Sequence, residues 1–375
     1  VNIPFNKNFF AGKELEYIKS AVDKNHLHGD GEFSEKCHAF LKELVKTKLA
    51  LLTSSCTSAL ELAALLADIK HGDEVILPSY TFVSTASAFA LRGAKLVWCD
   101  VREDTLNIDE TKIEALITPR TKVVAPMHYA GVICDMAAIS KTAEARNLLV
   151  IEDAAQGFMS YQDGVHAGTF GDMAALSFHG TKNVVSGEGG ALLVNNAAFE
   201  ERAYILREKG TNRRQFMNGQ VDKYTWVDLG GSFLPSEITA AFLLAQLEKA
   251  YEITARRIEI WKTYFQALKP LEEAGKIKLN KVPAGNRNNA HIFFFLMPDA
   301  AGASAMIKHL KTAGIGACAH YVPLHISPMG QKLAGGVAAS LPVTESAATR
   351  LVRLPLYPNL TQQEIEYVIN KVKEF

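Results

Sequence analysis

Apolar positions along the 375 residues fall into two recurring patterns. Short unbroken apolar runs end in small or polar residues, and between them lie longer stretches with apolar side chains three or four positions apart. The first pattern predicts strands buried on both faces, the second amphipathic helices. Strands are expected over 50–53, 73–78, 95–100, 122–126, 148–153 and 173–176, with 191–194 as an antiparallel return. Helices are expected over 12–23, where Leu15, Ile18 and Val22 would form the apolar face, and from Ser34, which would act as N-cap. Further helices are expected over 59–67, after Phe82 through Ala90, over 136–145 and over 199–208. Repeated strand–helix–strand units predict an α/β fold with a mostly parallel sheet sandwiched by helices.

The final third changes character. Strands near 276–279, 291–296 and 318–321, with helices over 302–312 and 361–374, predict a smaller C-terminal α/β domain. One helical pattern from Pro235 to about Leu268 bridges the two parts, and the expected division is 1–245 for the large domain and 246–375 for the small one.

Composition narrows the classes. Hydrophobic residues at 48% and charged residues at 21% describe an ordinary globular protein. The 40 Lys and Arg balance the 40 Asp and Glu without a long run of either sign, so no nucleic-acid or membrane partner is expected. The first residues lack a signal-peptide pattern and no apolar run reaches about 18 residues, which places the chain in the cytoplasm as an expectation. Cys37, Cys56, Cys99, Cys134 and Cys318 are odd in number and without C-x-x-C spacing, so neither a disulfide framework nor a metal site is expected.

The chemistry gathers at strand ends, where open α/β sheets bind ligands. Ser54-Ser55-Cys56-Thr57-Ser58 joins a strand to a helix, a junction whose free N–H groups and hydroxyls suit a phosphate. Asp153 ends another apolar strand, and Lys182 follows the next within Ser177-Phe178-His179-Gly180-Thr181-Lys182-Asn183. No G-x-G-x-x-G follows a strand, so the nicotinamide fingerprint is absent. A phosphate cradle, an acid and a lysine together match pyridoxal 5'-phosphate, whose ring nitrogen wants a carboxylate and whose aldehyde wants an amine.

Glu152-Asp153-Ala154-Ala155-Gln156, the lysine stretch and Gly187-Glu188-Gly189-Gly190 resemble the DegT/StrS-type sugar-nucleotide aminotransferases of the fold type I pyridoxal-phosphate superfamily. The likeness extends from Ile3-Pro4-Phe5 through 78–85 to His320-Tyr321-Val322-Pro323-Leu324-His325 and Arg353-Leu354-Pro355-Leu356-Tyr357. It implies that Lys182 is the catalytic lysine and Asp153 the partner of the ring nitrogen. Gln156 would lie beside the ring hydroxyl, Phe82 on the ring face, and Ser177 with Thr57 and Ser58 around the phosphate. On the substrate side it implies His325, Tyr321 and Asp30. Two departures stand out: Cys56 replaces a glycine of the family's turn, which suggests no backbone geometry forbidden to side chains, and Ser232 stands where many members carry asparagine. Both departures, with residues 219–226, are similar to the branch that makes dTDP-4-amino-4,6-dideoxygalactose. The resemblance implies L-glutamate as amino donor, a keto-sugar nucleotide as acceptor, and a homodimer with active sites at the subunit interface.

Overall fold

The computed structural model describes residues 1–334 and 339–375. In chain order the strands are β1 Leu49–Thr53, β2 Glu74–Pro78, β3 Lys95–Cys99, β4 Thr121–Val124, β5 Leu149–Asp153, β6 Tyr161–Gln162 and β7 Val165–His166. They continue with β8 Met173–Ser177, β9 Gly190–Val194, β10 Lys278–Leu279, β11 Asn286–Arg287, β12 Phe293–Leu296 and β13 Leu351–Leu354. Seven form the central sheet in the order β1-β9-β8-β5-β4-β2-β3. Within it only β9 opposes its neighbours, pairing antiparallel with β1 and β8, while the remaining pairs are parallel.

These strands are apolar from end to end because both faces are covered. Met173 and Ala175 of β8 enter one core with Leu49 and Leu51, while Ala174 and Leu176 enter the opposite core with Ala50 and Leu52. Helices Cys56–Leu66 and Val83–Ala90 cover the first face, and Glu32–Val45 and Glu237–Leu247 the second.

Several elements depart from expectation for identifiable reasons. The first helix, Glu14–Asp23, buries Glu14 and Ala21 and leaves Leu15 80% and Val22 52% exposed. Its rotation follows from Glu14, whose carboxylate accepts the N–H groups of Ala11 (2.6 Å) and Gly12 (2.8 Å) and the Gln246 amide (2.6 Å). The second helix starts at Glu32, and Ser34 lies inside its first turn instead of capping it. The long pattern after Pro235 divides into Glu237–Leu247 and Ala250–Glu273.

The C-terminal part contains an antiparallel sheet, β10-β12-β13, packed on helices Ala250–Glu273, Ala300–Thr312 and Gln362–Glu374. The strand expected at 318–321 shrinks to a single bridge between Cys318 and Arg353. Beyond it the chain leaves the sheet to reach the large unit, where Leu324 N–H donates to the Ser79 carbonyl. The first residues also depart from the 1–245 grouping: Ile3 lies in the C-terminal core and pairs with Gly314 and Gly316 through backbone hydrogen bonds.

Candidate active site

The parallel strands deliver their ends to one edge. Thr53 of β1 faces Gly190 of β9, which faces Ser177 of β8, while Asp153 of β5 faces Ala175 of β8. Because β9 runs backwards, its first residue shares the edge where its neighbours finish, so the helix start after β1 comes beside the loop after β8. A Cβ on Gly190 would stand 2.5 Å from Cys56 N, so glycine is what lets the helix start rest on β9. Cys56 itself is an ordinary helical residue whose φ is not positive.

A cavity of about 540 Å³ opens on this edge, within the range of small-molecule sites. Of the residues expected at the site, Thr57, Phe82, Asp153, Gln156, Ser177, Lys182 and Tyr321 line it. Ser55 caps the helix by accepting the Ser58 N–H (3.0 Å), while the N–H groups of Cys56 and Thr57, in the first turn, have no intrahelical acceptor. Asp153, almost fully buried, accepts from Thr85 Oγ1 (2.5 Å) and from the Ala155 N–H (3.0 Å). Gln156 is fixed at both ends, accepting from Ala130 N–H (2.7 Å) and donating to Tyr321 Oη (2.8 Å). Phe82 is 55% exposed, with its ring 6.2 Å from that of Tyr321.

Lys182 sits in the loop that folds back from β8 to β9, a turn closed by Lys182 N–H to His179 O (2.8 Å) and Gly180 N–H to Gly187 O (2.8 Å). Burial pushes its amine below the usual lysine range; nearby Asp153 opposes that shift and the Arg353 guanidinium reinforces it. A lysine so placed gives up its proton more readily than a surface one, which suits a nucleophile and base. The next residue, Asn183, anchors the loop by donating to Asn289 O (2.9 Å) and pairing with His291 Nδ1 (3.1 Å).

Three expected residues are not brought to the cavity wall. The Ser58 N–H is consumed by Ser55, and its hydroxyl pairs with Ser54 (2.9 Å) and Ser55 (3.0 Å). His325 is buried with both ring nitrogens engaged, Nδ1 by Ser79 Oγ (2.6 Å) and Nε2 by Glu345 (3.1 Å), so it ties the two parts of the chain together. Asp30 forms a two-pronged pair with the buried Arg207 (2.6 and 2.9 Å) and is spent there. Conversely, the wall includes His291, His320 and Arg353, and Thr85 stands behind Asp153. His320, Arg353 and Thr85 lie inside stretches whose likeness to the family was visible, but nothing in their spacing marked them out.

The donors present fit pyridoxal phosphate. One cavity offers a helix start with unused N–H groups, a buried carboxylate held by a hydroxyl, a lysine of depressed pKa and an exposed aromatic face. On this sheet, that set defines a pyridoxal-phosphate enzyme of the fold type I class. Residues 10–373 match the DegT/DnrJ/EryC1/StrS aminotransferase family, to which the chain belongs. It is a pyridoxal-phosphate-dependent sugar transaminase. The chain is 33% identical to the spore coat polysaccharide biosynthesis protein SpsC of Bacillus subtilis, over 99% of this chain and 96% of that one. To the GDP-perosamine synthase of Escherichia coli O157:H7 it is 29% identical, over 100% and 98%. The crystal structure of the aminotransferase TlmJ from Streptoalloteichus hindustanus superposes with a TM-score of 0.90 at 30% identity, covering 100% of this chain and 98% of that one. No helix among the described residues is long and apolar enough to cross a membrane.

Proposed function

We propose that this enzyme moves the amino group of L-glutamate onto a keto-deoxysugar nucleotide, dTDP-4-keto-6-deoxyglucose, giving dTDP-4-amino-4,6-dideoxygalactose in the cytoplasm. The observation that carries the reaction is the Lys182 amine sharing one cavity with Asp153 and the Thr57 helix start. The choice of sugar rests on the likeness of residues 219–226, Cys56 and Ser232 to the branch that makes that product, and on relatives named for polysaccharide and perosamine synthesis.

In this reading Thr57 and Ser177 would hold the cofactor's phosphate, Phe82 would flank its ring, Gln156 would sit beside the ring hydroxyl and Asp153 would keep the ring nitrogen protonated. Bound there, the cofactor supplies an electron sink for the carbon that carries the amine. Lys182 takes the proton from that carbon and returns it on the other side of the transfer, a double task for which its depressed pKa prepares it. Thr85 holds Asp153 in place through the Oγ1 bond. Tyr321, oriented by Gln156, faces the arriving substrate. The division of the chain into a cofactor-binding part, 1–245, and a smaller part, 246–375, belongs to this reading, with the cavity walled by both. So does a homodimer with sites at the subunit interface, favoured by the exposed apolar Phe82 at the cavity, its chain neighbour Val83, and Val322 beside Tyr321.

Purified enzyme with pyridoxal phosphate and L-glutamate is expected to aminate dTDP-4-keto-6-deoxyglucose, with an axial amine at carbon 4 resolved by NMR. Amination only of a 3-keto sugar, or of another nucleotide, would overturn the choice of substrate. Lys182→Ala is expected to lower turnover by a factor on the order of 10⁴ or more while the protein still folds. Retention of full turnover would overturn the catalytic assignment.

A further inference from the structure

Arg207 closes helix Glu200–Arg207, is buried, and stands outside the cavity wall. Its guanidinium divides its donors between two places. The fork grips Asp30 through both Nη atoms (2.6 and 2.9 Å), and Nε donates to the Leu52 carbonyl (2.8 Å). Burial alone would push the Asp30 carboxyl up, but the Arg207 charge outweighs it and holds that carboxyl below its usual range, so the pair is ionised. A buried ion pair is often no more stabilising than apolar side chains of the same volume, so what it orients matters more than what it stabilises.

What it orients is the open edge of β1. That strand pairs only with β9, which leaves alternate backbone groups facing away from the sheet. At Leu52 both are met by side chains, the carbonyl by Arg207 and the N–H by His38 Nε2 (3.0 Å). Two residues on, Ser54 N–H donates to the Phe233 carbonyl (2.8 Å), and Phe233 N–H donates to the Arg207 carbonyl (3.1 Å). Arg207 therefore holds the end of β1 twice, by its side chain at Leu52 and by its main chain, through Phe233, at Ser54. Next in the chain is Ser55, the N-cap of helix Cys56–Leu66, whose first N–H groups face the cavity. The backbone around Arg207 also forms the base of the 211–229 segment, where Gly231 N–H donates to Leu206 O (3.0 Å) and Lys209 N–H to Gly231 O (2.9 Å).

We propose that Arg207 is a positioning residue for the phosphate turn: by locking the end of β1 against Phe233 it sets the aim of the Cys56 and Thr57 N–H groups, and so ties the grip on the cofactor's phosphate to the base of the 211–229 segment. The inference rests on the reading that this helix start holds the phosphate. N–H donors serve one anion only while their directions converge, and a strand end displaced by more than about 0.5 Å spreads them. Coupling of this kind is reciprocal, so phosphate held at the turn steadies the base in return.

The test compares pyridoxal phosphate with pyridoxal, which has the ring and the aldehyde and lacks the phosphate. Each is bound to full-length apoenzyme, with the absorbance of the bound ligand as readout. Arg207→Met, which keeps the length without the donors, is expected to raise the Kd of pyridoxal phosphate about 30-fold and that of pyridoxal less than about twofold, the scale on which residues behind a ligand-holding group act. Arg207→Lys, which keeps the charge without the fork, is expected to recover part of the loss. Asp30→Asn, which loosens the fork and leaves Nε on Leu52, should raise the first Kd several-fold. In wild type, pyridoxal phosphate should slow amide hydrogen exchange at Phe233 and pyridoxal should not, and Arg207→Met should abolish the difference.

A ratio of the two Kd values within about threefold of wild type in Arg207→Met would overturn the inference alone, as would exchange at Phe233 slowed equally by pyridoxal. Should Arg207→Met fail to fold, Asp30→Asn decides by the same ratio, and an unchanged ratio there overturns the inference. Wild type that binds pyridoxal as tightly as pyridoxal phosphate would instead overturn the phosphate reading of the helix start, and the inference with it.

Discussion

Glu152 and Asp153 are adjacent carboxylates that the pleat of β5 sends to opposite sides of the sheet. Glu152 is saturated by the N–H groups of Gly168 (2.8 Å), Phe170 (2.8 Å) and Gly171 (2.7 Å) and by His128 Nε2 (2.7 Å). Since His128 Nδ1 accepts the Cys134 N–H (3.2 Å), that ring is the Nε2–H tautomer and donates to Glu152. A second histidine behind the site has a sharper consequence. His166 is buried, accepts the Met159 N–H at Nε2 (2.9 Å) and donates from Nδ1 to Ala167 O (2.5 Å). Burial lowers its pKa to about 4, against a neighbouring Glu152 that opposes the shift. Its unfolded value is about 6.5. Between those values the unfolded chain holds the proton and the folded chain does not, so stability is complete above about pH 6.5 and falls as pH drops toward 4. The difference in unfolding free energy between wild type and His166→Gln, followed by urea titration, should shrink by about 3 kcal/mol over that window. A pH-independent difference would show that the ring accepts the proton without cost. At this scale the chain order revealed residues that chemistry ties to strand ends, such as Asp153 and Lys182. It could not reveal that His325 is consumed by Ser79, 246 positions away, and by Glu345, 20 positions on within a separate helix, because the three meet only in the fold.

Helix Glu32–Val45 shows why element boundaries were harder to read than element types. Its N-cap is Gly31, and the capping oxygens come from Glu237, about 200 positions away. Glu237 accepts from Gly31 N–H (3.1 Å), Phe33 N–H (2.8 Å), Ser34 N–H (3.0 Å) and the Ser34 hydroxyl. A Cβ on Gly31 would stand 2.6 Å from the Glu237 carboxyl carbon, so the glycine clears space for the acid. Ser34 looked like a cap because it is the residue type that caps, but a buried carboxylate at the helix's positive end does the work better. Glu237→Gln keeps the shape while placing an NH₂ against N–H donors. It should cost about 3 kcal/mol in urea-induced unfolding, with little change in the denaturant slope. A cost below about 1 kcal/mol would mean that the helix start finds other acceptors. The central strands were legible because burial on both faces leaves continuous apolar runs. β13 was missed because Leu351 follows helix Pro342–Arg350 directly, with no turn residue to mark the change.

Across the whole molecule, the segment between Phe216 and Leu229 combines a hydrogen-bonded backbone base with exposed apolar side chains. Thr211 bridges Trp226, Asn212 Oδ1 accepts the Thr225 N–H (2.7 Å), and Val227 N–H donates to Gly210 O (2.8 Å). Yet Phe216, Met217, Tyr224, Trp226, Val227 and Leu229 are between 39% and 70% exposed. Isolated chains rarely leave so many large apolar side chains together in water, and the segment's fixed base means that the exposure is not a by-product of disorder. A second copy of the chain is the cover that the proposed homodimer supplies. Its binding would remove the Trp226 ring from water, and an aspartate there would instead have to be buried without a partner, at a cost of several kcal/mol per ion. Trp226→Asp is therefore expected to sediment as a monomer at concentrations where wild type is a dimer. If the active sites lie at the interface, its turnover should fall in parallel and recover as protein concentration rises. Wild type that sediments as a monomer while turning over, or a Trp226→Asp monomer with full activity, would separate catalysis from assembly and remove the subunit interface from the active site.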